Sequence, residues 1–396
     1  MKEQKYKKSV YFCRVMNRLQ KIILPNCKSI VIRQLVAHYV ATGDVLPVGD
    51  DECSDVLVTR QALLDIQQRK PVIDVRDCGA ACRFLLALLA VQDGTWKLTG
   101  MPRLLKRPVD GLLQTLTGLG ANIAAQDDGW LIQGRPLQAE TLRVDCTHSS
   151  QFASALLLIA PKIGLKTLHL LPETVPSADY VRLTLNCLSY PVDVPELSWR
   201  REPVGRLGDW SAALFWYAYA ALHPDARLEL QNLTLRSAQG DSAVAEWLAD
   251  LGVLSEETED GVLIHRASDW PECMPVRPFD VLNHPDVVPV MAALACLLPA
   301  DFTFLHTENL KYKESDRLSL LADQLKPFAE IAQSEGTLRI IGRPHACDKP
   351  RIFQTHNDHR LAMAFLLFGP DTVIDDISCL RKSYPGLVDE MKKLNA

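Results

Sequence analysis

The chain has 396 residues, 47% hydrophobic and 23% charged, which excludes a disordered or fibrous protein and leaves room for two domains with ample core. Its formal net charge of −5 gives no support to nucleic-acid binding as the main role, yet allows a local cation cluster that holds an anionic small molecule. Eleven cysteines, without CxxC pairs or zinc-like spacing, read as free thiols in a reducing compartment.

In chain order, the N-terminal stretch MKEQKYKKSVYFCRVMNRL is basic, and its apolar run VYFC is too short for a signal-peptide core. No later stretch approaches the roughly twenty apolar residues that span a bilayer, so a soluble, cytoplasmic protein is expected. A helix opens at CKSIVIRQLVAHYVA from Cys27 and a second at CGAACRFLLALLA from Cys78, both apolar nearly all round. From Leu112, LLQTLTGLGANIAAQDDGWLIQG reads as an amphipathic helix, a strand, a Gly turn and a second strand. Its TGLGAN follows a helix, so it is a C-cap and not a dinucleotide loop. SSQFASALLLIA from Ser149 is a third apolar helix, and REPVGRLGDW near Gly205 reads as a boundary, with a second crossing around Pro25 to Cys27. Beyond it come DWSAALFWYAYAAL from Asp209, a second helix-hairpin run from Val244, and PDVVPVMAALACLL from Pro285. KYKESDRL from Lys311, a third helix-hairpin run from Leu320, and NDHRLAMAFLLFG from Asn357 complete the series.

A helix without a polar face is a buried helix. Six such openings recur roughly 66 residues apart, as a repeat architecture requires. The expected organisation is two lobes of three units each, residues 27–206 and residues 1–26 with 207–396.

The polar openings of these helices carry the functional signal, because a helix N-terminus presents unpaired N–H groups and a positive dipole end that favour anions. Lys28, Ser29 and Arg33, Gly79 and Arg83, Ser149, Ser150 and Gln151, and His359 and Arg360 stand there. Arg107, Lys313, Arg317 and Lys382 add cations in short polar contexts, Arg as a bidentate grip and Lys as a point charge. Singly, each reads more plainly as a solvated charge, and Ser149-Ser150 as an N-cap. His356, Asp358 and His359 lack a third ligand cluster, and Cys78 with Cys82 make only two ligands, so no metal site is expected.

Four blocks carry a family resemblance: KSIVIR at Lys28–Arg33, SSQF at Ser149–Phe152, KESDR at Lys313–Arg317 and NDHRLAM at Asn357–Met363. In this order and spacing the chain resembles the 5-enolpyruvylshikimate-3-phosphate synthase (3-phosphoshikimate 1-carboxyvinyltransferase) family of enolpyruvyl transferases, from about Leu24 to the C-terminus. The resemblance implies an α/β (α+β) fold, a two-lobed inside-out α/β barrel with three βαβαββ units per lobe and the active site in the cleft between lobes. The implied reaction moves the enolpyruvyl group of phosphoenolpyruvate to the 5-hydroxyl of 3-phosphoshikimate and releases phosphate, with no cofactor and no metal. A monomer acting on these two small molecules, without nucleic acid or membrane, is expected.

By the same resemblance, Ser149, Ser150 and Ser177 hold the shikimate phosphate, with Tyr180 nearby, and the first lobe is the 3-phosphoshikimate side. Lys28, Ser29, Arg33, Asn309 and Lys313 meet the shikimate ring and its hydroxyls, and Gln151 lies between the substrates. Phosphoenolpyruvate falls to Lys28, Gly79, Arg107, Gln151, Arg317, Arg360 and Lys382. Asp286 is implied as base for the 5-hydroxyl and Glu314 as acid toward the enol carbon, with Lys28 also catalytic. The usual Asn-Ala-Gly-Thr-Ala-Met-Arg is here Asp77-Cys78-Gly79-Ala80-Ala81-Cys82-Arg83, so a carboxylate at 77 faces an anion unless Lys28 or Arg83 pairs with it. Two alternatives stay open, an enolpyruvyl transferase acting on UDP-N-acetylglucosamine and a non-catalytic relative that binds phosphorylated metabolites. Ser29 after Lys28, where the former has Asn, and the two acids Asp286 and Glu314 speak against them.

Overall fold

A computed structural model of the chain describes residues 19–202, 205–268, 277–342 and 351–394. The basic N-terminal stretch up to residue 18 and part of the boundary REPVG lie outside the described residues. The chain divides into two compact units, one of residues 26–205 with 237–240, the other of 1–25, 206–236 and 241–396.

Each unit closes its own apolar core. In the first, the helix Gly79–Val91 is buried along almost its whole length and packs with Gln151–Leu158. In the second, Trp210–Leu222, Val288–Leu297 and His359–Leu366 play that part. Ala- and Leu-rich sequence lets such helices approach closely on all sides, and each fully buried Leu, Val or Phe contributes about 1.5–3 kcal/mol. The helix Lys28–Thr42 departs from this pattern, burying a stripe that includes Ile32, Val36 and Val40 while Ala41 and Thr42 face solvent. Its polar residues His38 and Gln34 supply the outer face that the other helices lack.

Three four-stranded sheets carry the full strand–helix–strand–helix–hairpin script. In the first unit Val72–Asp74 lies parallel to Gly94–Thr99, and the hairpin Asn122–Gln126 with Gly129–Gly134 adds antiparallel. In the second, Arg277–Asp280, Asp301–Leu305, Thr337–Gly342 and Ala329–Ser334 repeat that order. The third sheet joins Gln20–Ile23 in parallel to Arg227–Gln231, from Gln20↔Leu228 to Ile23↔Gln231, and the hairpin Val253–Glu257 with Gly261–Arg266 completes it. Two further units are shorter than the six-part script expected from the sequence. Thr141–Asp145 with Thr167–Leu171 and Arg351–Phe353 with Thr372–Ile374 are parallel pairs without a described hairpin. The chain after Cys187, LSYPVDVPELSW, has Pro where a hairpin needs alternation, and contributes only a bridge at Asp193. No helix among the described residues is long and apolar enough to cross a membrane.

The hairpin glycines are steric requirements. Gly129 has φ +141°, and a Cβ there would stand 2.0 Å from the Leu98 carbonyl oxygen. Gly118, in the helix Asp110–Gly118, has open space beside it. Gly129→Ala is therefore expected to lower stability by at least about 2 kcal/mol, through clash and strain. Gly118→Ala should be neutral or stabilising by up to about 1 kcal/mol. Urea midpoints measure both, and equal midpoints for the two variants would contradict the steric account.

Candidate active site

In the second unit one guanidinium organises the charged residues of KYKESDRL. Asp316 caps the helix Arg317–Leu325 by accepting from the Ser319 amide at 3.1 Å, which turns Arg317 into the interior at 1% side-chain exposure. Arg317 donates from Nη1 to Asp286 at 2.8 Å and from Nη2 to Glu314 at 2.7 Å. It also donates from Nε and Nη2 to the two oxygens of Asp358 at 2.9 and 3.3 Å. Four of its five donors are thus committed to carboxylates. Lys313 and Arg360 each approach Asp286 at 3.7 Å, and Ser315 donates to Asp358 at 2.9 Å. Burial by itself would raise the Asp286 carboxyl, but Lys313, Arg317 and Arg360 outweigh it and hold it well below the usual range.

The loop before the last buried helix is shaped for this cluster. His356 and Asn357 both have left-handed backbone, φ 51° and 61°, uncommon for non-glycine residues and enriched at functional sites. Asp375 holds the turn, accepting from the Thr355 amide and hydroxyl at 2.9 and 2.6 Å. Asp358 then caps the helix His359–Leu366 through the Arg360 amide at 2.9 Å. Lys382 is buried at the end of the 3-10 helix Ile377–Lys382, and Asn309 is half-buried in Glu308–Tyr312.

The first unit carries a second group of anion-seeking residues. Arg83 donates to the Gly79 and Pro108 carbonyls at 3.0 and 2.9 Å. A Cβ on Gly79 would lie 2.6 Å from an Arg107 nitrogen and 3.0 Å from an Arg83 nitrogen, so two guanidiniums crowd the first turn of Gly79–Val91. Asp77 pairs with Arg103 at 2.7 Å. Lys28 donates to Asp55 at 2.8 Å. Arg33 is 2% exposed, and its three nitrogens reach Thr184 at 2.7 Å, the Ser29 carbonyl at 2.8 Å and Ser154 at 3.3 Å. Its guanidinium carbon sits 5.7 Å from the centre of the Tyr180 ring.

At the helix Gln151–Leu158, Ser149 accepts from the Gln151 amide at 3.3 Å, while the buried Ser150 makes no side-chain cap. The Gln151 side-chain oxygen is buried without a hydrogen-bond partner among the described residues. Ser177 has φ +60° and is buried just before Asp179–Cys187. Within the first unit the structure therefore brings Ser29 and Tyr180 to Arg33, pairs Lys28 with Asp55, and sets Arg107 against Gly79. Within the second it assembles Asp286, Lys313, Glu314, Arg317 and Arg360.

Sequence reasoning passed over Asp55, Arg103, Ser154, Thr184 and Asp241, and weighed Asp358 only as a metal ligand. Asp358 precedes an apolar helix, and the N-cap preference could have found it. The others sit in helical or loop patterns with no local mark of their partners. Asp241 is buried, bonded to the Ser211 hydroxyl, and its carboxyl is raised to about 6, chiefly by burial and then by Asp286.

The folded state thus holds the Asp241 proton to higher pH than the unfolded chain does. This group's contribution to stability is full below about pH 4 and falls as the pH rises to about 6, by about 3 kcal/mol in total. Asp241→Asn should flatten that fall in urea midpoints taken between pH 4 and 7. An unchanged slope would show that Asp241 keeps no such proton.

Residues 46–391 match the family described as EPSP synthase (3-phosphoshikimate 1-carboxyvinyltransferase). A 3-phosphoshikimate 1-carboxyvinyltransferase of Bacteroides fragilis is 34% identical over 394 residues, covering 94% of each chain. One of Methanospirillum hungatei is 27% identical, covering 93% of this chain and 94% of its own. Among solved structures, an EPSP synthase of Acinetobacter baumannii superposes with a TM-score of 0.66 at 19% identity, over 95% of both chains. An enolpyruvyl transferase of Streptomyces tendae reaches 0.65 at 17% identity, also over 95% of both. The mixed α/β fold is that of the enolpyruvyl transferases, and the chain belongs to the EPSP synthase (3-phosphoshikimate 1-carboxyvinyltransferase) family.

Proposed function

We infer that the chain transfers the enolpyruvyl group of phosphoenolpyruvate to the 5-hydroxyl of 3-phosphoshikimate, giving 5-enolpyruvylshikimate 3-phosphate and phosphate in the shikimate pathway. The observation that carries the residue-level reading is the arrangement around Arg317, which ties an acid and a base, Glu314 and Asp286, to one buried cation beside Lys313 and Arg360. Addition of an alcohol across an enol ether needs a proton delivered to the terminal CH2 and another removed from the attacking hydroxyl. Protonated Glu314 supplies the first and the Asp286 carboxylate takes the second. The C–O bond forms at the neighbouring carbon, giving a tetrahedral adduct. The adduct then loses a proton from its methyl group to a carboxylate, the C=C bond re-forms, and phosphate leaves with the C–O electron pair.

An acid held far below the usual carboxylate range is a weak proton acceptor. An anion bound by Arg360, Lys313 and Arg317 would draw their field away from Asp286 and restore its basicity, so substrate binding and base activation are linked. The phosphoenolpyruvate role of Arg317, Arg360 and Lys382, and that of Lys28, Gly79, Arg107 and Gln151, is the one the family resemblance implies for each. The first unit (27–206 in the sequence reading) is the 3-phosphoshikimate side, with Ser149, Ser150, Ser177 and Tyr180 at the phosphate. The unpartnered Gln151 oxygen there suits a ligand hydroxyl. Arg33 commits three of its five donors to Thr184, the Ser29 carbonyl and Ser154, and is also assigned to the shikimate side. Lys28, Ser29, Asn309 and Lys313 meet the shikimate ring. The chemistry consists of proton transfers and phosphate departure and calls for no metal or organic cofactor, and a monomeric cytoplasmic enzyme is the form we propose.

The enolpyruvyl transferase of UDP-N-acetylglucosamine, which uses a loop cysteine as acid, is the second reading. Cys27, Cys53, Cys78, Cys82 and Cys146 are buried, and burial pushes the thiols of Cys53 and Cys146 up to about 12, which disfavours it. Phosphate release from phosphoenolpyruvate with 3-phosphoshikimate as co-substrate is the deciding assay. Release only with UDP-N-acetylglucosamine, or none at all, would overturn the assignment. Glu314→Ala should lower turnover at least about a hundredfold with 3-phosphoshikimate binding largely intact. Equal losses of both would make Glu314 a structural residue.

A further inference from the structure

Asp77 stands directly before Cys78, the N-cap of the helix Gly79–Val91. A carboxylate at this place opposes any anion drawn to the helix head, where Arg83 and Arg107 crowd Gly79. It is answered by Arg103, 2.7 Å away, with both side chains at least two-thirds buried. Arg103 comes from the short helix Pro102–Leu105, which is fastened to the end of the strand Val72–Asp74 by main-chain bonds. The Val75 amide donates to Thr99 at 3.0 Å and the Met101 amide to Arg76 at 2.6 Å. The bond from Arg83 to the Pro108 carbonyl closes the far side of the same loop. The guanidinium of Arg103 is thus delivered to Asp77 by the segment that also delivers Arg107 to Gly79.

We propose that Arg103 is a positioning and specificity-determining residue of the phosphoenolpyruvate half-site, offsetting the charge of Asp77 beside the helix head where Arg83 and Arg107 crowd Gly79. The inference rests on the proposed function for the identity of the anion. A partly buried pair is weakly screened by solvent, and removing Arg103 takes one positive charge from beside Asp77 and shifts the local field against an anion.

The test is steady-state kinetics on the full chain. Arg103→Ala should raise KM for phosphoenolpyruvate about tenfold or more, equivalent to about 1.4 kcal/mol. Its kcat and KM for 3-phosphoshikimate should stay within about threefold, since the change in field acts on the other ligand. Adding Asp77→Asn to Arg103→Ala should bring the KM for phosphoenolpyruvate back toward the parent value, and Arg103→Lys should keep it there. An unchanged KM in Arg103→Ala, or a double variant as poor as the single one, would overturn the proposal, the latter by showing that Arg103 acts through packing. If Arg103→Ala does not fold, Asp77→Asn alone decides, with a KM at or below the parent value expected and a rise contrary. Calorimetric titration with inorganic phosphate reads the same charge effect without turnover. A parent chain that binds phosphate more tightly than Arg103→Ala but releases none from phosphoenolpyruvate would overturn the reaction while upholding the pair.

Discussion

The buried guanidinium of Arg317 is the interaction on which the second unit's chemistry depends. Three carboxylates, Asp286, Glu314 and Asp358, bond to it, and its charge offsets much of the cost of gathering them there. They come from separate parts of the chain: the segment before Val288–Leu297, the loop before Arg317 itself, and the cap of His359–Leu366. One side chain therefore fixes the mutual placement of Glu314, Asp286 and the cap of the helix that presents Arg360. Its fork geometry makes this possible, because a lysine's point charge would leave the relative orientation of the three acids undefined.

The first unit gathers its positive charge in a different way, at the head of a buried helix. Arg83 and Arg107 lie over a residue that has no side chain, so the main chain of the helix head and two guanidiniums share one small space. Pairs within the unit balance charge, Asp55 with Lys28 and Arg103 with Asp77. The helix termini, the glycine and these pairs act together, and none of them alone would define an anion site.

Much of this was legible in the sequence because burial leaves a periodic trace. Helices without a polar face at Gly79, Trp210, Val288 and His359 announced themselves, and the Gly turns at Gly129, Gly261 and Gly336 marked hairpins. Residues at the helix openings could be named because a polar residue at the head of an apolar run has few structural reasons to be there. What could not be read was pairing at a distance. Nothing local to Arg33 says that Ser154 and Thr184 will occupy its donors, 121 and 151 residues away. Nothing near Asp77 selects Arg103 over Lys28. The shortened units were also hidden, since loss of a hairpin shows only as a Pro-bearing loop.

The strand Gln20–Ile23 has a consequence for how the chain comes to be folded. Its parallel partner Arg227–Gln231 lies some two hundred residues further on, with the whole first unit in between. During synthesis from the N-terminus the first unit can close its core while this strand still waits for an edge to join. Pairing across so long a loop is slow, and an apolar residue such as Ile22, buried once the sheet is complete, stays open to water until then. The first of the described strands in chain order is thus completed only once Arg227–Gln231 has been made.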